Sequence, residues 1–328
     1  MKHDDGAQEE CEGPNGVNDL VSVIIPTYNS VAHIRQTIDA VLAQTHPHVE
    51  LIVVDDGSTD KTRVVLAEYG EKLRLVVQSN QGVCRARNAG LALARGEFIC
   101  FLDHDDVWYP EMIALQLKAF GADADVGCVY ANYTHWYSDA LGQYADPGEL
   151  RARFAMDGEL DASMSGWIYH LLLIDCHVQT SAAMFRSEVF RQCGAFDESL
   201  PYSEDWDLWL RISRKFQFRK LKNISVLYRQ IEGQGSRTAR DVDYRTRLLE
   251  KAVATWGLRS PDGRGLARRD FIRQLAVYHV DYGMGWVQAG QPGRGARSFL
   301  RALRLNPAQP KPLVYLVLSL FGWRPKWF

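Results

Sequence analysis

The feature that most constrains this fold is a series of four short apolar runs separated by three segments with helical spacing. The runs are VSVIIP from Val21, ELIVVD from Glu50, LRLVV from Leu73 and FICFL from Phe98. The first, second and fourth runs are typical of strands buried on both faces, and the third also predicts a strand. Strands that alternate with helices join through right-handed crossovers and form parallel sheets. The sequence therefore predicts an α/β fold with a doubly wound, mixed and mainly parallel sheet.

Polar residues cluster where each of these predicted strands ends. The segments are PTYN from Pro26, DDGSTD from Asp55, QSNQG from Gln78 and LDHDD from Leu102. Ligands of open α/β sheets bind beyond the carboxyl ends of the strands. We therefore expect the functional site at this edge of the sheet.

Three carboxylates, those of Asp103, Asp105 and Asp106, follow the fourth strand within four residues. Like charges this close repel each other and raise each other's pKa unless a cation lies among them. Mg²⁺ and Mn²⁺ prefer such hard oxygen ligands and take phosphate oxygens at their remaining positions. The cluster predicts a site for a divalent cation, Mn²⁺ or Mg²⁺. The alternative is that the acids cap a helix that begins near Pro110.

The first strand-to-helix turn argues against two large classes of nucleotide-binding enzyme. It reads PTYNSVAHI and contains neither G-x-G-x-x-G nor G-x-x-x-x-G-K-[ST], the phosphate-binding loops of NAD-dependent dehydrogenases and P-loop NTPases. It also lacks the Gly-rich, Arg-containing loop expected of a sugar-phosphate nucleotidyltransferase. The net charge of −2 argues against a nucleic-acid partner, since general nucleic-acid binders usually carry a large basic excess.

The whole chain is predicted to consist of a leader, an α/β domain and a helical appendage. Residues 1–19 are polar and acidic and predict a disordered leader. Residues 20–235 predict the α/β domain, with halves 20–125 and 126–235, and the segment Val126–Trp136 of the second half predicts a strand. Residues 236–328 contain two helical patterns around a Gly/Pro turn and predict a C-terminal helical region.

The sequence also bears on where the protein works. It has no apolar segment typical of a secretory signal and no apolar run of the ~18 to 20 residues that span a bilayer. Its six cysteines form no C-x-x-C pair, as is typical of a reducing compartment, so we expect a cytoplasmic protein. Arg297, Arg301 and Arg304 share a helical face before the apolar run PLVYLVLSLFGW, which suggests peripheral contact with the inner face of the cell membrane. The alternative is that this helix packs on the α/β domain.

Several motifs in a fixed order resemble the family 2 glycosyltransferases of the GT-A fold. They are VSVIIPTYN, ELIVVDDGSTDKT, NQGVCRARNAGLALARGEFICFLDHDDVW and SEDWDLWLR, and they extend from Val21 to about Ser213, with a weaker match to about Arg229. The resemblance implies transfer of a sugar from a nucleotide-diphosphate donor to an acceptor hydroxyl, with inversion at the anomeric carbon and a divalent cation. The acceptor would be a carbohydrate of the cell envelope, either a polysaccharide or a glycolipid or other lipid-linked acceptor. Half 20–125 would bind the nucleotide sugar and half 126–235 the acceptor.

The resemblance also implies a binding site for the nucleobase. Pro26, Thr27 and Tyr28 would cradle the base, with Tyr28 offering its ring. Asp55 or Asp56 would accept a hydrogen bond from the base, with Asp56 slightly favoured. Read locally, the same residues are an ordinary turn after a strand.

The remaining donor and metal contacts are implied in the same way. Asp105 would be the chief metal ligand, Asp103 would contact the ribose or the ion, and Asp106 would complete the acidic cluster. Arg85 and Arg87 begin the third helix, and their guanidinium groups suit phosphates or base edges. The alternative for both arginines is a solvent-facing position.

The motif YSEDWDLWL supplies the implied general base. Asp205 occupies the position that the family uses to take the proton of the acceptor hydroxyl, and Glu204 is the second choice or an acceptor-binding neighbour. The local alternative is that both acids stabilise the start of a helix. Trp206 and Trp209 either line the acceptor side or pack in the core.

One part of the family pattern is missing. Relatives often carry a histidine just after the late YR, but here Arg229 is followed by Gln230 and Ile231. Arg229 or Arg237 could meet the phosphates in its place. Two other functions stay open at this point, a sugar-nucleotide-binding protein without turnover and a sugar-phosphate nucleotidyltransferase.

Overall fold

The computed structural model describes residues 19–231 and 240–320. Most of the predicted leader, the 235/236 boundary and Arg237 therefore lie outside the described residues. Within those residues eight strands form one sheet with the order β3-β2-β1-β4-β7-β6-β8-β5. The strands are β1 (Val21–Thr27), β2 (Val49–Asp55), β3 (Arg74–Val77), β4 (Phe98–Phe101), β5 (Val107–Trp108), β6 (Val126–Trp136), β7 (Ala183–Arg186) and β8 (Gln217–Arg229).

Twelve α-helices lie in the same described ranges. They are α1 (Ile34–Leu42), α2 (Thr62–Ala67), α3 (Val83–Leu91), α4 (Met112–Phe120), α5 (Pro147–Arg151), α6 (Tyr169–Leu172), α7 (Ser187–Cys193), α8 (Glu204–Ile212), α9 (Tyr244–Trp256), α10 (Arg268–Gln288), α11 (Pro292–Leu305) and α12 (Pro310–Leu320).

The predicted alternation of strands and helices is confirmed from β1 to β4. β1 pairs in parallel with β2 and with β4, and β2 pairs in parallel with β3. Every residue of β1 and β4 is buried, as expected of apolar strands with both faces covered. The last residues of β1 and β2, Thr27 and Asp55, are aligned partners, so the loops that follow these strands start at the same edge.

The second half of the sheet is mixed. β7 lies between β4 and β6 and is antiparallel to both. β6 runs parallel to β8, and β8 also pairs with β5 in antiparallel orientation. β6 matches the strand predicted for Val126–Trp136. The mixed sheet and the helical C-terminal region are confirmed features of the predicted fold class.

The C-terminal helices belong to two packing units. Leu248 and Leu249 of α9, with Leu275 of α10, pack in the same core as Trp209 and the sheet. The later part of α10 forms a small separate core with α11 around the buried ring of Phe299. In the described parts of the chain, we find no helix both long enough and apolar enough to cross a membrane.

Candidate active site

The loop after β1 exposes one of the three residues expected to hold a nucleobase. Pro26 and Thr27 are buried, and the Thr27 hydroxyl forms a hydrogen bond with the Ser30 hydroxyl. Tyr28 is 43% exposed at the carboxyl end of the strand. Of these three residues, Tyr28 is therefore the one with an accessible side chain.

The carboxylates of Asp55 and Asp56 are occupied by their own loops. Asp55 is fully buried and accepts hydrogen bonds from the Ser58 amide at 3.1 Å and from Arg63 Nε at 2.6 Å. Asp56 accepts hydrogen bonds from the amides of Gln81 and Gly82, both at 2.8 Å. This differs from the expected contact with a base, because both side chains hold loops in place. Asp56 fixes the turn that leads from β3 into α3.

The acidic cluster at the end of β4 divides into one buried and two accessible carboxylates. Asp106 is fully buried and accepts hydrogen bonds from Ser181 Oγ at 2.6 Å and from the Arg229 amide at 3.1 Å. Asp103 and Asp105 are partly exposed. This geometry does not favour the expected role of Asp106 as a metal ligand, because its oxygens accept hydrogen bonds from internal donors. Asp106 joins β8 and the segment before β7 to the end of β4.

Asp105 has the surroundings that suit a cation ligand. Among the described residues, no hydrogen bond to its carboxylate is found beyond that from its own backbone N–H. Burial raises its pKa, and the Asp103 charge adds to this, while His104 and Arg229 act in the opposite direction. A divalent cation would stabilise the ionised form, so Asp105 and the nearby Asp103 fit the metal predicted from the sequence.

The acidic cluster is not a preassembled three-ligand site. Among the described residues, the group whose ligand atoms all lie within 4.8 Å of one another is Asp19, His46 and His48, which precede β1 and β2 at the opposite edge. A cation at Asp105 would therefore depend on oxygens of the substrate or of water for much of its coordination.

Arg87 connects the end of β4 to the start of α8. Its Nη2 lies 2.7 Å from Asp103 Oδ1, and its Nη1 lies 2.8 Å from Glu204 Oε1. Its side chain is only 5% exposed and lies over the ring of Phe196. This differs from the expected donor contact, because both terminal nitrogens bind carboxylates of the protein. Arg85 points elsewhere and pairs with Gln81 and Glu198.

Asp205 lies in the first turn of α8, next to Glu204. Its Oδ2 accepts a hydrogen bond from Thr180 Oγ1 at 3.2 Å, and its Oδ1 accepts one from the Trp206 amide at 2.7 Å. Burial raises the pKa of Asp205 to about 6, and the neighbouring charge of Glu204 adds to this, while Arg87 lowers it. A carboxylate with a pKa near the working pH is suited to general-base catalysis.

Trp206 and Trp209 belong to the core. Both are buried, and their Nε1 groups donate to the carbonyl oxygens of Leu172 and Val178. This decides between the two positions left open for them. The helical spacing of these residues in DWDLWL already fits a buried face.

The segment from Gln179 to Ser181 is a part of the site that the sequence did not reveal. Gln179 and Ser181 bond Asp106, and Thr180 bonds Asp205, so three consecutive residues contact both halves of the site. Their residue types are common in loops, and only the antiparallel placement of β7 brings them here. No local motif could have identified them.

Arg229 is enclosed between two aromatic rings. Its guanidinium lies 4.2 Å from the ring centre of Trp136 and 4.4 Å from that of Tyr144, and its Nε donates to the Asp105 carbonyl oxygen. It is 2% exposed, which differs from the expected contact with phosphates. Arg229 fixes the backbone of the acidic loop.

Comparisons with known proteins identify the family to which the chain is similar. The family model "Glycosyl transferase family 2" matches residues 22–177. An uncharacterized glycosyltransferase of Rickettsia typhi is 36% identical over 246 residues, which cover 74% of this chain and 72% of that protein. This chain matches a smaller share of the length of other Rickettsia relatives, for example 31% of one from Rickettsia bellii.

Two solved structures share the fold. Residues 1–349 of S. aureus TarS in complex with UDP-GlcNAc superpose with a TM-score of 0.59 at 20% identity, covering 92% of this chain and 88% of that one. A mannosyltransferase from Pyrobaculum calidifontis in complex with GDP-Man and Mn²⁺ gives a TM-score of 0.55 at 20% identity, covering 93% and 81%. With the ordered motifs at one sheet edge and a relative that matches most of the chain, we conclude that this protein belongs to glycosyltransferase family 2 and is a glycosyltransferase.

Proposed function

We propose that the protein is an inverting glycosyltransferase that moves a sugar from a nucleotide-diphosphate donor to a hydroxyl of a polysaccharide or glycolipid. The observation that carries the proposal is the Arg87 bridge. It holds Asp103, at the end of β4, and Glu204, beside Asp205, on the same guanidinium group. Arg87 thus connects the end of β4, where we place the donor, to the start of α8, which carries the proposed base.

The proposed reaction is a single displacement at the anomeric carbon. The acceptor oxygen forms a bond to that carbon while the bond to the diphosphate oxygen breaks, and the electron pair leaves with the diphosphate. Asp205 takes the proton of the acceptor hydroxyl as its oxygen attacks. Attack on the face opposite the leaving group inverts the configuration. Glu204 is held by Arg87 and positions the start of α8.

We assign the donor to the edge formed by the loops after β1, β2 and β4. The exposed ring of Tyr28 offers a face for the nucleobase, and Pro26 and Thr27 contribute backbone groups. Asp103 and Asp105 would hold a divalent cation, which when bound neutralises charge on the leaving diphosphate. Asp55, Asp56, Asp106 and Arg87 support these loops. In this proposal residues 20–235 carry the chemistry.

Two substitutions test the assignment. Asp205→Asn should lower sugar transfer by about 10² to 10⁴, the usual contribution of a general base, while donor binding is retained. Asp105→Ala should weaken donor binding in the presence of Mn²⁺ and leave metal-free binding unchanged. Binding is read as the increase in melting temperature across a panel of nucleotide diphosphates and their sugar conjugates, with and without Mn²⁺. Transfer at the wild-type rate by Asp205→Asn would refute the base assignment.

We further propose that α11 and α12 contact the anionic inner face of the cell membrane. α11 exposes Arg297, Arg301 and Arg304, and α12 exposes Leu313, Val314 and Val317. Exposed basic side chains on one helix, followed by exposed apolar side chains on the next, suit a surface with anionic headgroups.

Vesicle flotation tests the membrane contact. The full-length protein should float with phosphatidylglycerol-containing vesicles and stay behind with purely zwitterionic ones. The triple variant Arg297→Glu, Arg301→Glu, Arg304→Glu should lose this binding, and the matched triple lysine variant should keep it. Equal recovery of all proteins with both kinds of vesicle would dismiss the contact.

A further inference from the structure

Four aromatic side chains form a continuous surface on one face of β6 and β8. Tyr133 and His135 alternate along β6, and Tyr137 follows directly after its last residue. Tyr228 of β8 is the register partner of His135. We call these four residues the aromatic strip.

The rings of the strip contact one another in sequence. Ring centres are 5.5 Å apart for Tyr133 and His135 and 6.0 Å apart for His135 and Tyr137. The Tyr228 ring lies 5.6 Å from both Tyr133 and His135. Tyr133 is 39% exposed and Tyr137 is 61% exposed, so ring surface faces outward.

Alternation along the strand explains why the rings are exposed together. Successive side chains of a strand point to opposite faces. Trp136 points to the other face, where it is buried against Arg229. In the sequence YTHWY at residues 133–137, Trp136 therefore points into the core, and the other three aromatic side chains point outward.

The chain before β7 connects the strip to the proposed base. In the antiparallel pair of β6 and β7, Tyr130 is the partner of Ala183. Beyond this pair β6 continues toward Tyr133, and the residues just before Ala183, from Thr180 onward, contact β6. Thr180 Oγ1 donates a hydrogen bond to Asp205 Oδ2. One short segment therefore contacts both the strand that carries the strip and Asp205.

We propose that the aromatic strip binds the carbohydrate chain of the acceptor and directs its terminal hydroxyl toward Asp205. This inference rests on the proposed function, since it extends the same site to the acceptor. Sugar rings present C–H groups that pack on the faces of aromatic rings, and tyrosine hydroxyls add polar contacts.

The dimensions fit a chain rather than a single sugar. Four residues of extended strand span roughly 13 Å, so Tyr133 and Tyr137 lie further apart than the width of one sugar ring. The strip therefore predicts an acceptor of several sugar residues, of which the sugars beyond the terminal one contact Tyr137.

Binding of oligosaccharides to the full-length protein without a donor tests the proposal. The probes are maltohexaose, chitohexaose and chondroitin hexasaccharide, measured by saturation-transfer NMR. We expect at least one to bind the wild type, and Tyr133→Ala and Tyr137→Ala to weaken it roughly tenfold, as expected when an aromatic anchor is removed. Tyr133→Phe, which keeps the ring, should bind within about threefold of the wild type.

The control is Leu141→Ala, which removes another exposed apolar side chain close in sequence and should change nothing. The proposal is overturned if no probe binds the wild type, or if the alanine variants bind the probes as well as the wild type does. It is also overturned if those variants instead convert a dimer to a monomer in light scattering, since the strip would then be an interface between copies. Strip variants should keep the stabilisation by nucleotide diphosphate and Mn²⁺. If nucleotide diphosphate and Mn²⁺ do not stabilise even the wild type, the proposed function is contradicted. The oligosaccharide experiment does not depend on that outcome.

Discussion

Asp205 is the residue whose chemistry gives the most direct prediction. Its pKa is raised to about 6 by burial and by Glu204, so a growing fraction becomes protonated as the pH falls below this value. A protonated carboxyl cannot accept the acceptor proton, so kcat/KM should fall on the acid side of about pH 6, to roughly a tenth of its plateau at pH 5. The pH profile of transfer checks this. A flat profile between pH 5 and 8 would contradict the assignment.

Arg87 should affect both stability and this pH profile. Removal of its charge in Arg87→Gln leaves the partly exposed carboxylates of Asp103 and Glu204 without their partner, which should lower the unfolding free energy by about 1 to 3 kcal/mol. The acid limb should also move to higher pH, because the Arg87 charge lowers the pKa of Asp205. Urea unfolding and the pH profile of transfer measure the two effects.

Arg85→Gln is the matched control for this substitution. Arg85 lies two residues earlier on α3, and its ion pair with Glu198 is half exposed on both sides. Exposed pairs contribute about 0 to 1 kcal/mol, so Arg85→Gln should leave stability and the acid limb nearly unchanged. The charge of Asp205 also contributes to the raised pKa of the Cys84 and Cys176 thiols, behind their burial, so both cysteines should be kept in every variant. Equal effects of the two arginine substitutions would remove the special role of Arg87.

The sequence predicted which residue types meet at this site but not which of them face a ligand. The motifs identified Asp103, Asp105 and Asp205. In the structure Arg87 binds Asp103 and also Glu204, the residue next to Asp205, and so connects two of these three sites. Asp106 has the same side chain as its neighbour Asp105, yet it is fully buried. Its role depends on donors from Ser181 and Arg229, which are distant along the chain and have no local signature.

At the level of elements, the helices α10 and α11 pack closely through glycine. A Cβ atom added to Gly283 would lie 2.7 Å from the Phe299 ring and 3.0 Å from the Gly295 carbonyl oxygen. Gly283→Ala should therefore lower the unfolding free energy by about 1 to 3 kcal/mol through overpacking, less the gain in helix propensity. Chemical denaturation followed by circular dichroism measures the change.

Gly285→Ala provides the control in the same helix. An added Cβ at Gly285 meets nothing within 4 Å. Alanine has the higher helix propensity, so this substitution should be neutral or stabilising by up to about 1 kcal/mol. A larger loss of stability for Gly285→Ala than for Gly283→Ala would show that the helices do not meet at Gly283.

Local sequence patterns predicted strands well where the pattern of apolar residues within the strand is regular. The four apolar runs became β1 to β4, and Val126–Trp136 became β6 with the predicted bounds. The antiparallel insertion of β7 was not predicted, since pairing depends on contacts distant along the chain. The exposed ring face of β6 was also missed, although the alternation in YTHWY carries its signal.

At the scale of the whole molecule, the division of the core predicts an order of local opening. α9 shares its core with the sheet through Leu248 and Leu249, whereas the later part of α10 and α11 form a small core around Phe299. Segments open with the unit whose contacts hold them, and small units open at lower free energy. Hydrogen exchange followed by mass spectrometry should find α9 protected like β1 and β4, and α11 and α12 exchanging well before them. Gly283→Ala should accelerate exchange in α11 and leave α9 unchanged, because the substitution weakens only the small core. Equal protection of α9 and α11 would mean that the C-terminal helices and the sheet unfold as one unit.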